Sequence, residues 1–196
     1  MAKMLGPMAM GGLVFGAATS LSNGLDTPFL AQFLGMGWSW AAVGVAAGWV
    51  APTRRVAWVG ATCTLLVAVF AYYATDLARG VYDTIDPADP SSFRVTTSWT
   101  GALSDLSYRW VAALLVGPPL GLVGHAIHRR DRLGFLAEVV VPTTMVANVL
   151  LVTTRMGLGR AQPAALAAHA VIVVLAVVWA GWAVARRGAG PGSVEE

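Results

Sequence analysis

Charged side chains are scarce in this chain: only 12% of its 196 residues are Asp, Glu, Lys or Arg, against about 25% in soluble domains. A soluble fold of this length would need far more polar surface to cover its single core. Cysteine is nearly absent too. The one copy, Cys63, lies inside an apolar run, so the chain has no disulfide framework. With three histidines and one cysteine there is no zinc-type ligand set, so neither a metal nor a cofactor is expected. Also missing are G-x-S-x-G, H-E-x-x-H and a phosphate-cradling glycine loop, which removes the common hydrolase, metalloprotease and nucleotide-binding readings. The net charge of +3 comes without a basic stripe, so no nucleic-acid partner is expected.

What is abundant is apolar sequence. Hydrophobic residues make up 57% of the chain and the mean hydropathy is +0.66. They arrive in blocks of about 18 or more, the length a helix needs to cross ~30 Å of hydrocarbon. Eight tryptophans and four tyrosines suit interfacial belts. The expected fold is all-α, a polytopic membrane bundle of six transmembrane helices whose main partner is the lipid bilayer. The spans are placed at about 5–22, 28–50, 56–75, 108–127, 133–154 and 164–185. They form one integral membrane domain over 1–196, with a long connection at 77–107 and a tail at 186–196. "NGLDTP", "APTRR", "HRRDR" and "GRAQP" supply the joints, two of them ending in a proline placed to open a helix.

Basic residues set the expected orientation. With the N-terminus inside, the inner segments hold Lys3, Arg54, Arg55, Arg129, Arg130, Arg132, Arg186 and Arg187, and the outer ones Arg79, Arg94, Arg109, Arg155 and Arg160. That bias favours cytoplasmic N- and C-termini in the cell membrane. Lys3 and the run after it read as a retained first helix rather than a signal peptide, because no small-x-small cleavage site follows.

Glycine pairs four apart recur at Gly12/Gly16, Gly44/Gly48 and Gly117/Gly121. Such pairs let helix backbones approach closely, within the chain or against a partner subunit in the membrane. Three spans per half would be inverted relative to one another, an arrangement many transporters use. In the long connection, Asp83, Asp86 and Asp89 fall three apart, but Pro87 and Pro90 interrupt them, and a solvated loop is expected rather than a diphosphate site. "SWTGALSDLSYRW" reads as an amphipathic re-entry, with Asp105 and Arg109 at ion-pair spacing.

Ionisable groups in a span need partners or water and are therefore functional candidates. Glu138 stands six residues beyond Arg132, or ~9 Å along a helix. His125 and the tryptophans Trp49, Trp58, Trp179 and Trp182 share its inner level. One reading makes these a cytoplasm-side pocket; the other pairs Glu138 with the arginines of "HRRDR" and leaves the tryptophans as a belt. At the outer level stand Tyr72, Tyr73, Asp76, Asn148 and His169. They are either interfacial and interhelical glue or the lining of a solute site. Glu138 and Asp76 are the candidate general acids should the protein be an enzyme.

The stretches "GGLVFGAATSLSNG", "WSWAAVGVAAGW", "AVFAYYA" and "GPPLGLVGHAIHRR" together resemble a family of uncharacterised small multi-pass membrane proteins of actinobacteria. That resemblance implies a membrane location and brings no catalytic residue. The size and topology are also similar to substrate-binding subunits of energy-coupling vitamin transporters, which implies a vitamin-like ligand and a partner docked on a small-residue face. A further likeness is to membrane-embedded terpene cyclases, which implies acid catalysis on a lipid-soluble isoprenoid. Binding or transport of a small solute or lipophile is the first functional expectation, and the cyclase-like enzyme the second.

Overall fold

The apolar blocks form helices. The computed structural model describes residues 2–25, 28–86, 91, 93–156 and 163–188. Among them are α1 (Ala2–Asn23), α2 (Pro28–Gly35), α3 (Gly37–Trp49), α4 (Arg54–Ala78), β1 (Asp83–Ile85), β2 (Val95–Thr97), α5 (Trp99–Ala126), α6 (Arg132–Met156) and α7 (Pro163–Gly188). Pro87, Asp89, Pro90, Arg160 and the tail from 189 lie outside the described residues. The all-α expectation holds: α1, α4, α5, α6 and α7 are each long and apolar enough to cross a membrane.

The expected second span departs from a straight helix. α2 and α3 meet at 53° across Met36, so they make a further crossing only as a bent pair. The cause is local. Met36 is extended (φ −75°, ψ 148°) between Gly35 and Gly37, residues that hold a helix least well. Carbonyls released by such a break need new donors in lipid. Ser39 supplies one, its hydroxyl within 2.6 Å of both the Leu34 and the Met36 carbonyl.

Within the connection at 77–107, the described residues include a short, largely exposed ribbon. α4 ends at Gly80, whose φ of +70° suits a glycine stop. β1 and β2 then pair antiparallel, Asp83 opposite Thr97 and Ile85 opposite Val95. The helix expected from Tyr108 begins at Trp99, so the amphipathic re-entry is the first part of α5 itself. Asp105 and Arg109 form no ion pair there; Asp105 accepts a hydrogen bond from the Tyr82 hydroxyl at 3.2 Å.

Four elements pack backbone to backbone. A methyl built on Gly12 would strike the Thr64 carbonyl, and one on Gly16 the Ala68 carbonyl, which sets α1 parallel to α4. Thr64 completes that seam by bonding the Met8 carbonyl at 3.2 Å. Gly48 meets Gly121, Gly121 meets Ala57 and Gly124 meets Val45, drawing α3, α4 and α5 together. The described glycine pairs therefore all face helices of the same chain. α6 and α7 join this frame through side chains instead, in a cluster that runs from Met36, Trp38 and Val45 to Val141, Met145, Val149, Ile172 and Ala176.

Gly16→Ala and Gly121→Ala are expected to destabilise the detergent-solubilised protein by about 1–3 kcal/mol each, the usual cost of overpacking. Gly181→Ala, where nothing lies within 4 Å, should leave the thermal midpoint unchanged. Equal midpoints for all three variants would contradict this packing scheme.

Candidate functional site

The helix break opens a polar recess at the end of the bundle that carries the β-ribbon. Its volume is about 300 Å³ and its wall includes Thr19, Asn23, Gln32, Tyr72 and Arg109, with Met36 and Trp40. α1 contributes Thr19 and Asn23, α2 contributes Gln32, α4 contributes Tyr72, and the early part of α5 contributes Arg109. The N-terminus of α3 reaches the recess at Met36 without any side-chain cap. Uncapped backbone N–H groups and a guanidinium at one opening favour negative charge there.

A buried network holds this wall in place. The Ser20 hydroxyl donates to Asp76 Oδ1 at 2.6 Å, and Arg79 lies 3.8 Å from the same oxygen. Arg79 also donates to the Ser20 carbonyl, so it clamps the end of α1 to the end of α4. Asp76 is 4% exposed and lies outside the recess wall. Its carboxylate ties two helices together. Next to it, Asn23 Nδ2 donates to the Tyr72 hydroxyl at 2.9 Å. Rings continue the wall from Phe15 to Trp40, Tyr72, Tyr73 and Tyr82, with successive centroids 5.2, 6.2, 5.3 and 6.2 Å apart. Burial, helped by the neighbouring Tyr73 and Asp105, raises the Tyr82 phenol well above its ordinary range, so it stays protonated and keeps donating to Asp105.

Across the break lies a second polar group. Among the described residues, Trp38 Nε1, Asn148 Oδ1 and both ring nitrogens of His169 are buried without a hydrogen-bond partner. Trp38 belongs to the same apolar cluster as Met36, Val149 and Ile172. Asn148 precedes Val149, and His169 is one turn before Ile172, on the same helix face. Counted from the ribbon-side ends of their helices, Asn148 stands ~12 Å deep and His169 ~9 Å, whereas Trp38 is the second residue of α3. Among the described residues, Asn148 Oδ1 and His169 form no hydrogen bond across helices. A neutral imidazole offers one donor and one acceptor, the indole a donor and the amide oxygen an acceptor. Leaving each such group unpaired costs about 1–3 kcal/mol.

The opposite end is arranged differently. Glu138 is 2% exposed and its Oε1 lies 3.7 Å from Arg186 on α7. Trp179 Nε1 donates to the Glu138 carbonyl at 3.0 Å, and Arg186 lies over the Trp182 ring at 5.3 Å. His125 Nδ1 is 3.3 Å from the Ala51 carbonyl, and His128 Nε2 is 2.7 Å from the Trp49 carbonyl. Trp49, Trp58, Trp179 and Trp182 are 42–52% exposed, an outward-facing belt and not the wall of an enclosed chamber. Neither the ribbon-end recess nor the surface hollow at Arg130–Leu136 is lined by Glu138.

Compared with family models, with curated proteins and with solved structures, the chain matches none. Function therefore has to be argued from the recess itself. Of the outer candidates, Tyr72 lines it, Tyr73 stacks behind it, and Asn148 and His169 stand on the far side of the break. Sequence reasoning missed Thr19, Asn23, Gln32, Arg109 and Trp38. A detectable signal was Gln32, a lone amide in the apolar "PFLAQFLGMG", four residues before the break.

Arg79→Ala is expected to destabilise the protein by about 3 kcal/mol, because it leaves the Asp76 carboxylate buried without its cation. Adding Asp76→Asn to that variant should recover part of the loss in thermal unfolding. If the double variant is no better than Arg79→Ala, the clamp does not work through charge.

Proposed function

We propose that this is a multi-pass protein of the cell membrane that binds a small, singly negative polar solute at the helix break as a step in its transport. The observation that carries this reading is the 300 Å³ recess, in which hydroxyl, amide and guanidinium groups from four helices converge on an interrupted span. Interrupted helices at a polar cavity are a recurring way to bind solutes within a membrane, since they present unpaired backbone dipoles without exposing them to lipid. The polar lining favours a hydrophilic ligand over a lipophile. The uncapped start of α3 and Arg109 suit a carboxylate, while Thr19, Asn23, Gln32 and Tyr72 suit hydroxyl or amino substituents.

Trp38, Asn148 and His169 extend the reading inward. Met36 both lines the recess and packs in one cluster with Trp38 and with Val149 and Ile172, the α6 and α7 residues next to Asn148 and one turn after His169. A shift of α2 about the break would bring a solute from the first group of donors to the second. The density of basic residues at the end opposite the ribbon supports a cytoplasmic location for that end.

Two measurements test the proposal. In a Cys63→Ser background, Gln32→Cys should react with a membrane-impermeant thiosulfonate from the ribbon side, and Leu114→Cys, exposed on the lipid-facing surface, should not. An inert Gln32→Cys would mean that water does not reach the recess. Among acetate, lactate and glycolate, at least one should raise the thermal midpoint, and Arg109→Gln should weaken that ligand about 10–100-fold. Unchanged affinity in Arg109→Gln would sink the anion assignment.

His169→Leu and Asn148→Leu are expected to keep or raise the thermal midpoint, because each removes an unpaired buried polar group. Proteoliposome uptake of the stabilising solute should fall in both. A drop of several degrees in the midpoint would instead mark them as structural.

A further inference from the structure

The opposite end of the bundle carries a second hollow, about 430 Å³, lined by Arg130, Asp131, Arg132, Phe135 and Leu136. Arg132, Phe135 and Leu136 are spaced i, i+3 and i+4, so they share one face of α6. Arg130 overhangs that face from the turn before the helix. The result is a two-level site, guanidinium groups at the mouth of the helix and apolar side chains one turn deeper.

Its charge is unbalanced in a specific way. Asp131 is the one acid in the lining, and it is already engaged. Its Oδ1 accepts the Gly134 backbone N–H at 3.0 Å as the cap of α6, and its Oδ2 accepts from Arg129 Nε at 3.0 Å. The Gly134 and Arg129 hydrogen bonds hold its carboxyl below the usual range, so it stays ionised and is neutralised by Arg129. Among the described residues no acid pairs with Arg130 or Arg132, which leaves two positive charges on exposed side chains. The N-terminus of a 25-residue helix adds its own partial positive charge below them.

Beyond the mouth, the same side of α6 stays open. Leu136 is 56% exposed and Leu150 59%, and Thr143 and Ala147 between them are also exposed. From 136 to 150 this track runs ~21 Å along the axis, enough for one acyl chain within a single leaflet. The geometry points to a binding site for one anionic phospholipid, its phosphate between Arg130 and Arg132 and an acyl chain along Phe135, Leu136 and the open face of α6. The site rests on the membrane location and is independent of the solute recess, from which it is separated by the length of the bundle.

The test uses full-length protein purified in a neutral maltoside detergent, with phosphatidylglycerol, phosphatidylcholine or inorganic phosphate added separately. Phosphatidylglycerol should raise the thermal midpoint and be retained at one copy per chain in native mass spectrometry. Phosphatidylcholine lacks net charge and inorganic phosphate lacks the acyl chain, so both should have little effect. Arg130→Gln/Arg132→Gln should keep its lipid-free midpoint and bind phosphatidylglycerol about 30-fold more weakly, the product of roughly fivefold per arginine at a charged membrane surface. Raising the salt concentration on wild-type protein should shrink the stabilisation, a readout that requires no variant. Equal stabilisation by phosphatidylcholine, an undiminished effect in the double variant, or a full effect from inorganic phosphate alone would overturn the assignment. Retention in the pellet after an alkaline carbonate wash reports the membrane location separately, so the two readings cannot fail together unnoticed.

Discussion

In hydrocarbon, apolar side chains gain little by leaving lipid for one another, so helices need another reason to associate. Here that reason is close backbone approach at glycine. Gly12, Gly16, Gly48, Gly121 and Gly124 each place a neighbour's carbonyl where a side chain would stand, and this joins α1, α3, α4 and α5 into one frame. Everything else is referred to that frame. The clamp of Ser20, Asp76 and Arg79 closes its ribbon end. The polar recess lies where the frame meets the short helix α2, and α6 with α7 leans on it through larger side chains.

Polar groups within the bundle fall into two kinds. Asp76 and Glu138 are buried but matched, Asp76 by the arginine that ends its own helix and Glu138 by one near the end of α7. Such charges explain themselves through structure. Trp38 Nε1, Asn148 Oδ1 and the His169 ring nitrogens are buried and, among the described residues, unmatched. The carboxylates that drew the eye in the sequence are thus the less informative residues, and the uncharged ones the more informative.

Much of the fold was legible because bilayer thickness imposes a length on apolar runs, and the spans at 56–75, 133–154 and 164–185 lie inside α4, α6 and α7. The break at Met36 was not, although Gly-Met-Gly announces it, because hydropathy averages over a bend that leaves composition unchanged. The start of α5 at Trp99 was hidden by polar residues that belong to an interfacial turn of helix. The partner of Glu138 was out of reach for another reason. Arg186 is 48 residues away (186 − 138), and only the antiparallel packing of α6 on α7 brings it near. The recess was the least legible element, since its walls come from four helices and no local motif unites them.

The parallel seam of α1 on α4 also constrains how the protein is made. Ser20 and Asp76 are 56 residues apart, so at ~5–20 residues per second the first helix waits on the order of 3–11 seconds for its partner to emerge. During that interval its glycine face and its terminal hydroxyls have no helix of their own to meet, and α2 and α3 are synthesised beside it. The seam therefore cannot close before α4 has been made, and until then α1 lacks the surface that its glycine face fits.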